Sequence, residues 1–246
     1  MTPTSVGMRC PECAPQRGRA SRVVSSRVAT DVPVVTYALI VICVLVELGV
    51  LAGGGDFSGS TLGTSPFAQQ GPLVGTLVGD GDVWRLVTSG FMHAGLLHLV
   101  FNMFSLWILG SLLEPAIGRV RFAVIFFVSL LAGSFGVLIV DPTQTTVGAS
   151  GAVFGLMAAA IVIMRNRGID PMASGLPFWL GLNLLFTFSN SNLSVGGHIG
   201  GLIGGALAAL VMYELPSRIR GLPRQAPPLL GAAVGVAAVV GSLLVV

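Results

Sequence analysis

Charge is scarce in this chain of 246 residues, of which 9% are charged and 53% hydrophobic. A soluble domain carries about 25% charged residues, so the composition excludes an ordinary water-soluble protein. Lysine is absent, and all 13 basic residues are arginines. These arginines are spread over several loops and form no basic face, which argues against nucleic acid as a partner.

Cysteine and histidine are also few, with three of each. Cys10 and Cys13 form a Cys-x-x-Cys half-site, but a structural zinc ion takes four ligands. No other cysteine or histidine precedes the first apolar segment, and the spacing of His93 and His98 places these two rings poorly on one helix face. We therefore expect no closed metal site and no cofactor. Taken alone, the half-site is interpreted as two unpaired cytosolic thiols.

Apolar sequence is abundant and falls into seven segments, several near the roughly 20 residues that a helix needs to cross a bilayer. The segments cover about 34–51, 95–113, 122–140, 150–164, 172–188, 196–213 and 228–246. The fourth and fifth are short for full spans, which neighbouring helices or local thinning of the bilayer can accommodate. The pattern predicts an all-α polytopic membrane protein with a retained polar tail before the first span.

The arginines predict the orientation of this protein in the cell membrane, because cytoplasmic loops carry the excess of positive charge. Twelve arginines lie before the first segment or in alternate loops after it, and only Arg85 lies on the opposite side. The N-terminus is therefore predicted in the cytoplasm and the C-terminus outside. In this orientation the second, fourth and sixth segments all enter the membrane from its outer face.

A serine and a histidine stand at the outer ends of two of these segments. Ser150 lies in Gly148-Ala149-Ser150-Gly151 at the start of the fourth, and His198 lies among the glycines at the start of the sixth. Intramembrane polar residues are costly and mark functional sites, and a serine beside a histidine forms a nucleophile and its base. No carboxylate is placed to complete a triad, so we predict a dyad. The alternatives are a helix cap for Ser150 and a buried hydrogen-bonding role for His198.

Other residues at the same depth could assist this pair. His98 and Asn102 share one helix face and could donate hydrogen bonds to an oxyanion. The Ser150 backbone N–H and Gly151 could join them as donors. The alternative for His98 and Asn102 is a polar clamp between helices. Phe154, one turn after Ser150, could face the His198 ring; the alternative is an ordinary contact with the core or with lipid. Gly201 belongs to a stripe of small residues that lets membrane helices pack closely.

Taken together, these residues closely resemble the rhomboid family of intramembrane serine proteases over about residues 33–215. The motifs that carry the resemblance are Trp84-Arg85, the His98 and Asn102 pair, Glu114 with Gly118, the Gly-Ala-Ser-Gly sequence and the glycine-rich helix of His198. The Cys-x-x-Cys before the first span is similar to the zinc-binding segment of actinobacterial-type members. This similarity implies that Cys10 and Cys13 are the remainder of a longer zinc-binding module, as the alternative to two unpaired thiols.

The resemblance implies a six-helix rhomboid core at 33–215, preceded by a cytoplasmic tail at 1–32 and followed, at 216–246, by a linker and a seventh transmembrane helix. It implies Ser150 as nucleophile, His198 as general base, and His98 and Asn102 as oxyanion donors. It further implies that Trp84 and Arg85 belong to a loop that supports the fold, and that the fifth span and the loop 189–194 guard substrate entry.

The implied function is a serine endopeptidase that cleaves transmembrane segments of membrane-anchored proteins near the outer face, through acyl transfer to Ser150 followed by hydrolysis. Its expected partners are transmembrane protein substrates and the lipid bilayer. The alternative is a non-proteolytic membrane protein, either a client-binding pseudoprotease or a small-solute transporter. A transporter would more often show inverted repeats and interrupted helices, and the two halves of this sequence show no such symmetry.

Overall fold

A computed structural model describes residues 2–4, 7–9, 32–190, 193–219, 222–223 and 225–246. The chain divides into two units, residues 1–31 and 32–246. In the first unit, strands β1 (Thr2–Thr4) and β2 (Gly7–Arg9) pair antiparallel. Cys10 and Cys13 lie outside the described residues, so the zinc half-site stays a prediction.

The second unit is built of helices, and the prediction of an all-α polytopic membrane protein is confirmed. The helices are α1 (Val34–Ala52), α2 (Pro66–Gln70), α3 (Gly75–Gly79), α4 (Arg85–Thr88), α5 (Leu96–Ile117), α6 (Arg119–Val140), α7 (Ser150–Asn166), α8 (Leu176–Ser189), α9 (Val195–Ala209), α10 (Leu215–Arg218) and α11 (Ala226–Val245). Short 3-10 turns occupy Ser89–Phe91 and Met172–Ser174, and one π-helical stretch, Leu210–Glu214, extends α9.

Within the described residues, five helices are long and apolar enough to cross a membrane: α1, α5, α6, α9 with its π-helical extension, and α11. Helices span bilayers because they satisfy every backbone N–H and C=O internally. The shorter apolar helices are α7 and α8. Residues 151–160 of α7 are all buried, so other helices rather than lipid surround this short helix.

Helix α8 begins four residues later than the predicted fifth segment. Gly175 adopts a left-handed conformation with φ of 72° and separates the 3-10 turn Met172–Ser174 from the helix. Pro177 then lies in the first turn of α8, where its missing N–H removes no hydrogen bond. The glycine and the proline together fix where α8 starts.

Glycines let α6, α7 and α9 approach one another closely at the centre of the unit. A Cβ atom on Gly133 would lie 3.0 Å from the carbonyl oxygen of Gly197, and one on Gly201 would collide with the carbonyl of Gly151. Small residues of this kind give membrane helices their close backbone packing. The start of α7 is consequently held directly against the start of α9.

The segment between α1 and α5 is fastened by a buried arginine. The Arg85 guanidinium donates through Nη1 to the Pro72 carbonyl at 3.0 Å and through Nη2 to the Gln69 carbonyl at 3.0 Å, and its Nε atom lies 2.9 Å from Asp82. The neighbouring Trp84 indole donates to the Gln70 carbonyl at 3.2 Å. These bonds fold the segment into one compact loop.

The same loop is joined to the segment that leads into α7. Leu73 and Thr146 exchange two backbone hydrogen bonds of 3.0 Å, and the Gly148 N–H donates to the Ser89 carbonyl at 2.9 Å. The loop therefore sets the path of the backbone immediately before Ser150.

Candidate active site

Ser150 and His198 meet where the first turns of α7 and α9 pack together. The Ser150 Oγ atom lies 2.7 Å from the Nε2 atom of His198, which is a short hydrogen-bond distance. His198 is buried, whereas Ser150 is partly exposed. The two side chains thus form a bonded pair whose hydroxyl remains reachable.

The Ser150 hydroxyl does not cap its own helix. Ala149 is the N-cap residue of α7, no side chain makes a capping hydrogen bond there, and Gly148 before it adopts a φ of 125°. Ser150 is therefore the first residue of α7. Its backbone N–H and that of Gly151 belong to the first turn, where helix N–H groups have no intrahelical acceptor.

The aromatic ring of Phe154 covers one face of the His198 imidazole. The ring centroids are 4.4 Å apart and the planes are inclined by 16°, which is a stacked arrangement. Phe154 is buried, so the contact belongs to the interior between α7 and α9. It limits the angles that the imidazole can adopt.

Thr187 is a neighbour of His198 that the sequence analysis missed. Its Oγ1 atom lies 2.7 Å from the Nδ1 atom of His198, on the opposite side of the ring from Ser150. Thr187 is buried near the end of α8. The sequence feature that could have identified it is a hydroxyl residue in an apolar segment, four residues after the polar Asn183.

His98 approaches the turn that precedes Ser150. A Cβ atom placed on Gly148 would lie 2.8 Å from the Nε2 atom of His98. The opposite ring nitrogen, Nδ1, accepts the Ala94 backbone N–H at 3.2 Å. Because a neutral imidazole carries one proton, this bond assigns that proton to Nε2, which faces the Gly148 turn.

Asn102 lies one turn beyond His98 and is buried. Its Nδ2 atom donates to the His98 backbone carbonyl at 2.9 Å. An amide nitrogen carries two hydrogens, so this bond occupies one of the two donors that Asn102 offers.

Glu114 lies at the far end of α5 and holds the start of α1. Its carboxylate accepts the Val35 and Thr36 backbone N–H groups at 2.9 and 2.8 Å, and the Thr36 hydroxyl at 2.7 Å. These are first-turn donors of α1, which need an outside partner. Glu114 therefore caps a neighbouring helix.

The side-chain hydrogen bonds of His198 run to Thr187 and Ser150, and neither involves Asp141 or Glu47. Asp141 is exposed and accepts the Thr143 N–H and hydroxyl at 3.0 and 2.6 Å, and these bonds lower the pKa of its carboxyl group below the ordinary value. Glu47 is buried in α1. The described residues contain no group of three His, Cys, Asp or Glu that could hold a metal ion.

A cavity of about 1360 Å³ lies beside Ser150 and His198, between α5 and α8. Its apolar walls come from both helices: Leu97, Phe101, Phe104 and Ile108 on α5, and Trp179, Leu182 and Phe186 on α8. Polar groups are added to the lining by Gln144 and Thr145, from the segment before α7, and by Asn190, which follows α8. Phe101, Phe104, Trp179 and Phe186 are 56–68% exposed, so the cavity is continuous with the lipid-facing surface.

Comparison with known proteins identifies relatives over most of the second unit. The family model of the Rhomboid domain matches residues 80–215. Rhomboid protease GluP of Bacillus subtilis is 33% identical over 183 residues, which cover 73% of this chain and 35% of that protein. Putative rhomboid protease YdcA of the same organism is 34% identical over 145 residues, 57% of this chain and 73% of that protein.

RHOMBOID-like protein 5 of Arabidopsis thaliana is 32% identical over 169 residues, which cover 65% of this chain and 54% of that protein. The matched part of the chain thus spans about a third of GluP and about half of the plant protein.

Proposed function

The chain belongs to the rhomboid family, and from this premise we propose that it is an intramembrane serine endopeptidase with Ser150 as nucleophile and His198 as general base. The observation that carries the proposal is the 2.7 Å contact between Ser150 Oγ and His198 Nε2 at the start of two packed helices. The relatives named as rhomboid proteases agree with this activity.

The proposed reaction is acyl transfer followed by hydrolysis. Ser150 Oγ attacks the scissile carbonyl carbon while His198 Nε2 takes the hydroxyl proton. His198 then returns that proton to the leaving amine as the C–N bond breaks, and water hydrolyses the acyl-serine by the same steps in reverse order.

Stabilisation of the oxyanion is assigned to donors around the Gly148 turn. The first-turn N–H groups of Ser150 and Gly151 point out of the helix end, and His98 presents its Nε2–H to the same turn. The second amide hydrogen of Asn102 is the remaining candidate. Preorganised donors of this kind supply a large share of catalysis in acyl transfer.

The proposed substrates are transmembrane segments of membrane-anchored proteins, which enter from the lipid bilayer through the cavity between α5 and α8. The exposed aromatic and aliphatic walls suit an apolar helix, and Gln144 and Thr145 beside Ser150 offer polar contacts to a segment that has unwound. We propose that α8 and the loop 189–194, of which residues 191 and 192 lie outside the described part, control this entry.

Cleavage of a transmembrane reporter by the purified full chain in proteoliposomes tests the proposal. We expect cleavage by the wild type and a loss of about 10³-fold or more in Ser150→Ala and in His198→Ala, with no further loss in the double variant, because the two residues act as a unit. Equal cleavage by all variants would contradict the assignment. No wild-type cleavage of several reporters would favour a client-binding pseudoprotease or a transporter.

We also propose that the N-terminus is cytoplasmic and that the cleavage site faces the outside of the cell. Single cysteines at the exposed positions Asp80 and Asp170, in a chain without its natural cysteines, test this orientation with a membrane-impermeant maleimide. We expect Asp80→Cys to react in intact cells and Asp170→Cys only after permeabilisation. The reverse pattern would overturn the orientation. The narrower relation to actinobacterial-type members stays a prediction, since it depends on Cys10 and Cys13.

A further inference from the structure

Thr187 occupies an unusual place in α8. Every other residue of this helix is half-buried or exposed, whereas Thr187 is 1% exposed. The buried hydroxyl makes two hydrogen bonds, one to the Asn183 carbonyl at 2.8 Å and one to His198 Nδ1 at 2.7 Å. The one fully buried side chain of α8, Thr187, therefore bonds to His198, the residue proposed as the base.

The hydrogens of these two bonds can be assigned by counting donors. A threonine hydroxyl has one hydrogen, and in a helix it commonly donates to the carbonyl four residues earlier, which here is Asn183. The bond to His198 then requires the imidazole Nδ1 to donate. A neutral imidazole has one N–H, so Nε2 is left with a free lone pair.

This assignment prepares His198 for its proposed task. The unprotonated Nε2 is the atom that lies 2.7 Å from Ser150 Oγ, and only this tautomer can accept the serine proton. In Ser-His-Asp enzymes a buried aspartate fixes the corresponding tautomer through the other ring nitrogen. In this protein a neutral hydroxyl occupies that position.

We propose that Thr187 is a positioning residue that fixes the tautomer and the ring orientation of His198, and that this orientation is supplied by the helix that borders the substrate cavity. The inference rests on the proposed function of Ser150 and His198. Thr187 touches no reacting atom and acts through His198. Because Thr187 is carried by α8, the Ser150 hydroxyl is fully activated only when the end of α8 is packed against α9.

Steady-state cleavage of the transmembrane reporter by the full chain in proteoliposomes is the first test. Thr187→Val removes the hydroxyl, and Thr187→Ser restores it. We expect Thr187→Val to lower kcat about 10- to 100-fold with little change in KM. This loss is a fraction of the roughly 10²- to 10⁴-fold that general base catalysis contributes, because His198 itself is still present. Thr187→Ser should recover most of kcat. Ser242→Ala is the matched control, since Ser242 is a fully buried hydroxyl in α11 that donates to the carbonyl four residues earlier.

Labelling of Ser150 by a small soluble fluorophosphonate is the second test, because this probe does not enter as a transmembrane helix. The Ser150 Oγ–P bond forms, fluoride leaves, and His198 takes the hydroxyl proton. We expect Thr187→Val to slow the labelling in parallel with kcat. Slow cleavage with unchanged labelling would mean that Thr187 acts only on substrate entry, and it would overturn the proposal.

The ¹⁵N resonances of the imidazole give a readout that does not depend on activity. With all three histidines labelled and His198→Ala used for assignment, we expect the wild type to show a protonated Nδ1 and an unprotonated Nε2. Thr187→Val should populate the opposite tautomer, and an unchanged spectrum would contradict the proposal. If Thr187→Val fails to fold, Thr187→Ala and Thr187→Ser still differ by a single oxygen atom and give the same comparison.

Failure of this inference is distinct from failure of the proposed function. If Thr187 variants alter the labelling and the tautomer while the wild type cleaves no reporter, the positioning role stands and the protease activity falls. If the wild type cleaves and Thr187→Val equals it, the activity stands and the positioning role falls.

Discussion

The ring of Phe154 lies nearly parallel to the imidazole of His198, with 4.4 Å between the ring centroids. Phe154 is carried by α7 one turn after Ser150, so the helix that supplies the serine also holds the face of the proposed base. The stack fixes the plane of the imidazole, whereas the bonds to Ser150 and Thr187 fix its rotation within that plane.

Replacement of Phe154 by leucine should therefore reduce activity while an apolar interior is kept. Aromatic stacking contributes about 0.5–1.5 kcal/mol beyond burial, so we expect a fall of about 2- to 12-fold in kcat and in the rate of fluorophosphonate labelling. Phe154→Tyr keeps the ring and should stay near the wild type. Equal rates for the leucine and tyrosine variants, at equal thermal stability, would show that the stack has no role in orientation.

Close packing of α7 on α9 gives a second prediction, at Gly201. A Cβ atom there would lie 2.6 Å from the Gly151 carbonyl carbon and closer still to its oxygen, so Gly201→Ala must push the two helices apart. Overpacking costs about 1–3 kcal/mol, and we expect a lower Tm together with slower labelling of Ser150.

Gly181→Ala is the matched control for Gly201→Ala. Gly181 is also a helical glycine, but nothing lies within 4 Å of a Cβ atom placed on it. Alanine is the better helix former, so this variant should keep or slightly raise the Tm. Equal Tm values for the two variants would contradict the packing argument.

The helices could be predicted from the sequence because apolar runs in this chain end at glycines, prolines and arginines. The predicted segments 122–140 and 150–164 correspond to α6 (Arg119–Val140) and α7 (Ser150–Asn166). Ser150 and His198 could also be paired from the sequence, because each lies at the start of a segment that enters the membrane from the same side. In the structure their side chains are 2.7 Å apart. The roles of His98, Asn102 and Gly151 in an oxyanion site stay predictions.

Thr187 and Glu114 show why the long-range side-chain bonds could not be predicted from the sequence. The bond from Thr187 to His198 joins α8 to α9, and which ring nitrogen it meets depends on how α8 is packed. Glu114 caps α1 from a position 78 residues away in sequence. Local patterns specify which residues are polar and how deep they lie, but not which distant donor each one meets.

Glu114 itself yields a third prediction. Glu114→Ala leaves first-turn N–H groups of α1 without their acceptor, and hydrogen bonds to charged groups contribute about 1.5–3 kcal/mol each. We expect a large fall in the Tm of Glu114→Ala and an unchanged kcat of its folded fraction. Thr36→Val removes only one of the three bonds to Glu114, so its Tm should fall less. Arg218→Gln is the control, because Arg218 is an exposed side chain that lies 3.7 Å from Glu214 in a surface pair of a kind that contributes about 0–1 kcal/mol. A Tm for Glu114→Ala as high as that of Arg218→Gln would contradict the capping role.

The last prediction concerns His98 and the glycine beside it. His98→Ala removes the Nε2–H donor at the Gly148 turn, and loss of one oxyanion donor costs about 10²–10³-fold in kcat. The thermal stability and the KM of this variant should change much less than kcat. A rise in KM with an unchanged kcat would show instead that His98 contacts the substrate in its ground state.

Gly148→Ala tests the same donor from the opposite side. Its Cβ atom would lie 2.7 and 2.8 Å from two atoms of the His98 ring, so the ring must move away from the turn. Gly148 also has a φ of 125°, which strains any residue other than glycine. Gly81→Ala controls for that strain, because Gly81 has a φ of 111° and open space around its Cβ position. We expect both variants to lose stability but only Gly148→Ala to lose reporter cleavage per folded molecule. Equal cleavage by the two folded variants would mean that the position of His98 does not matter for the reaction.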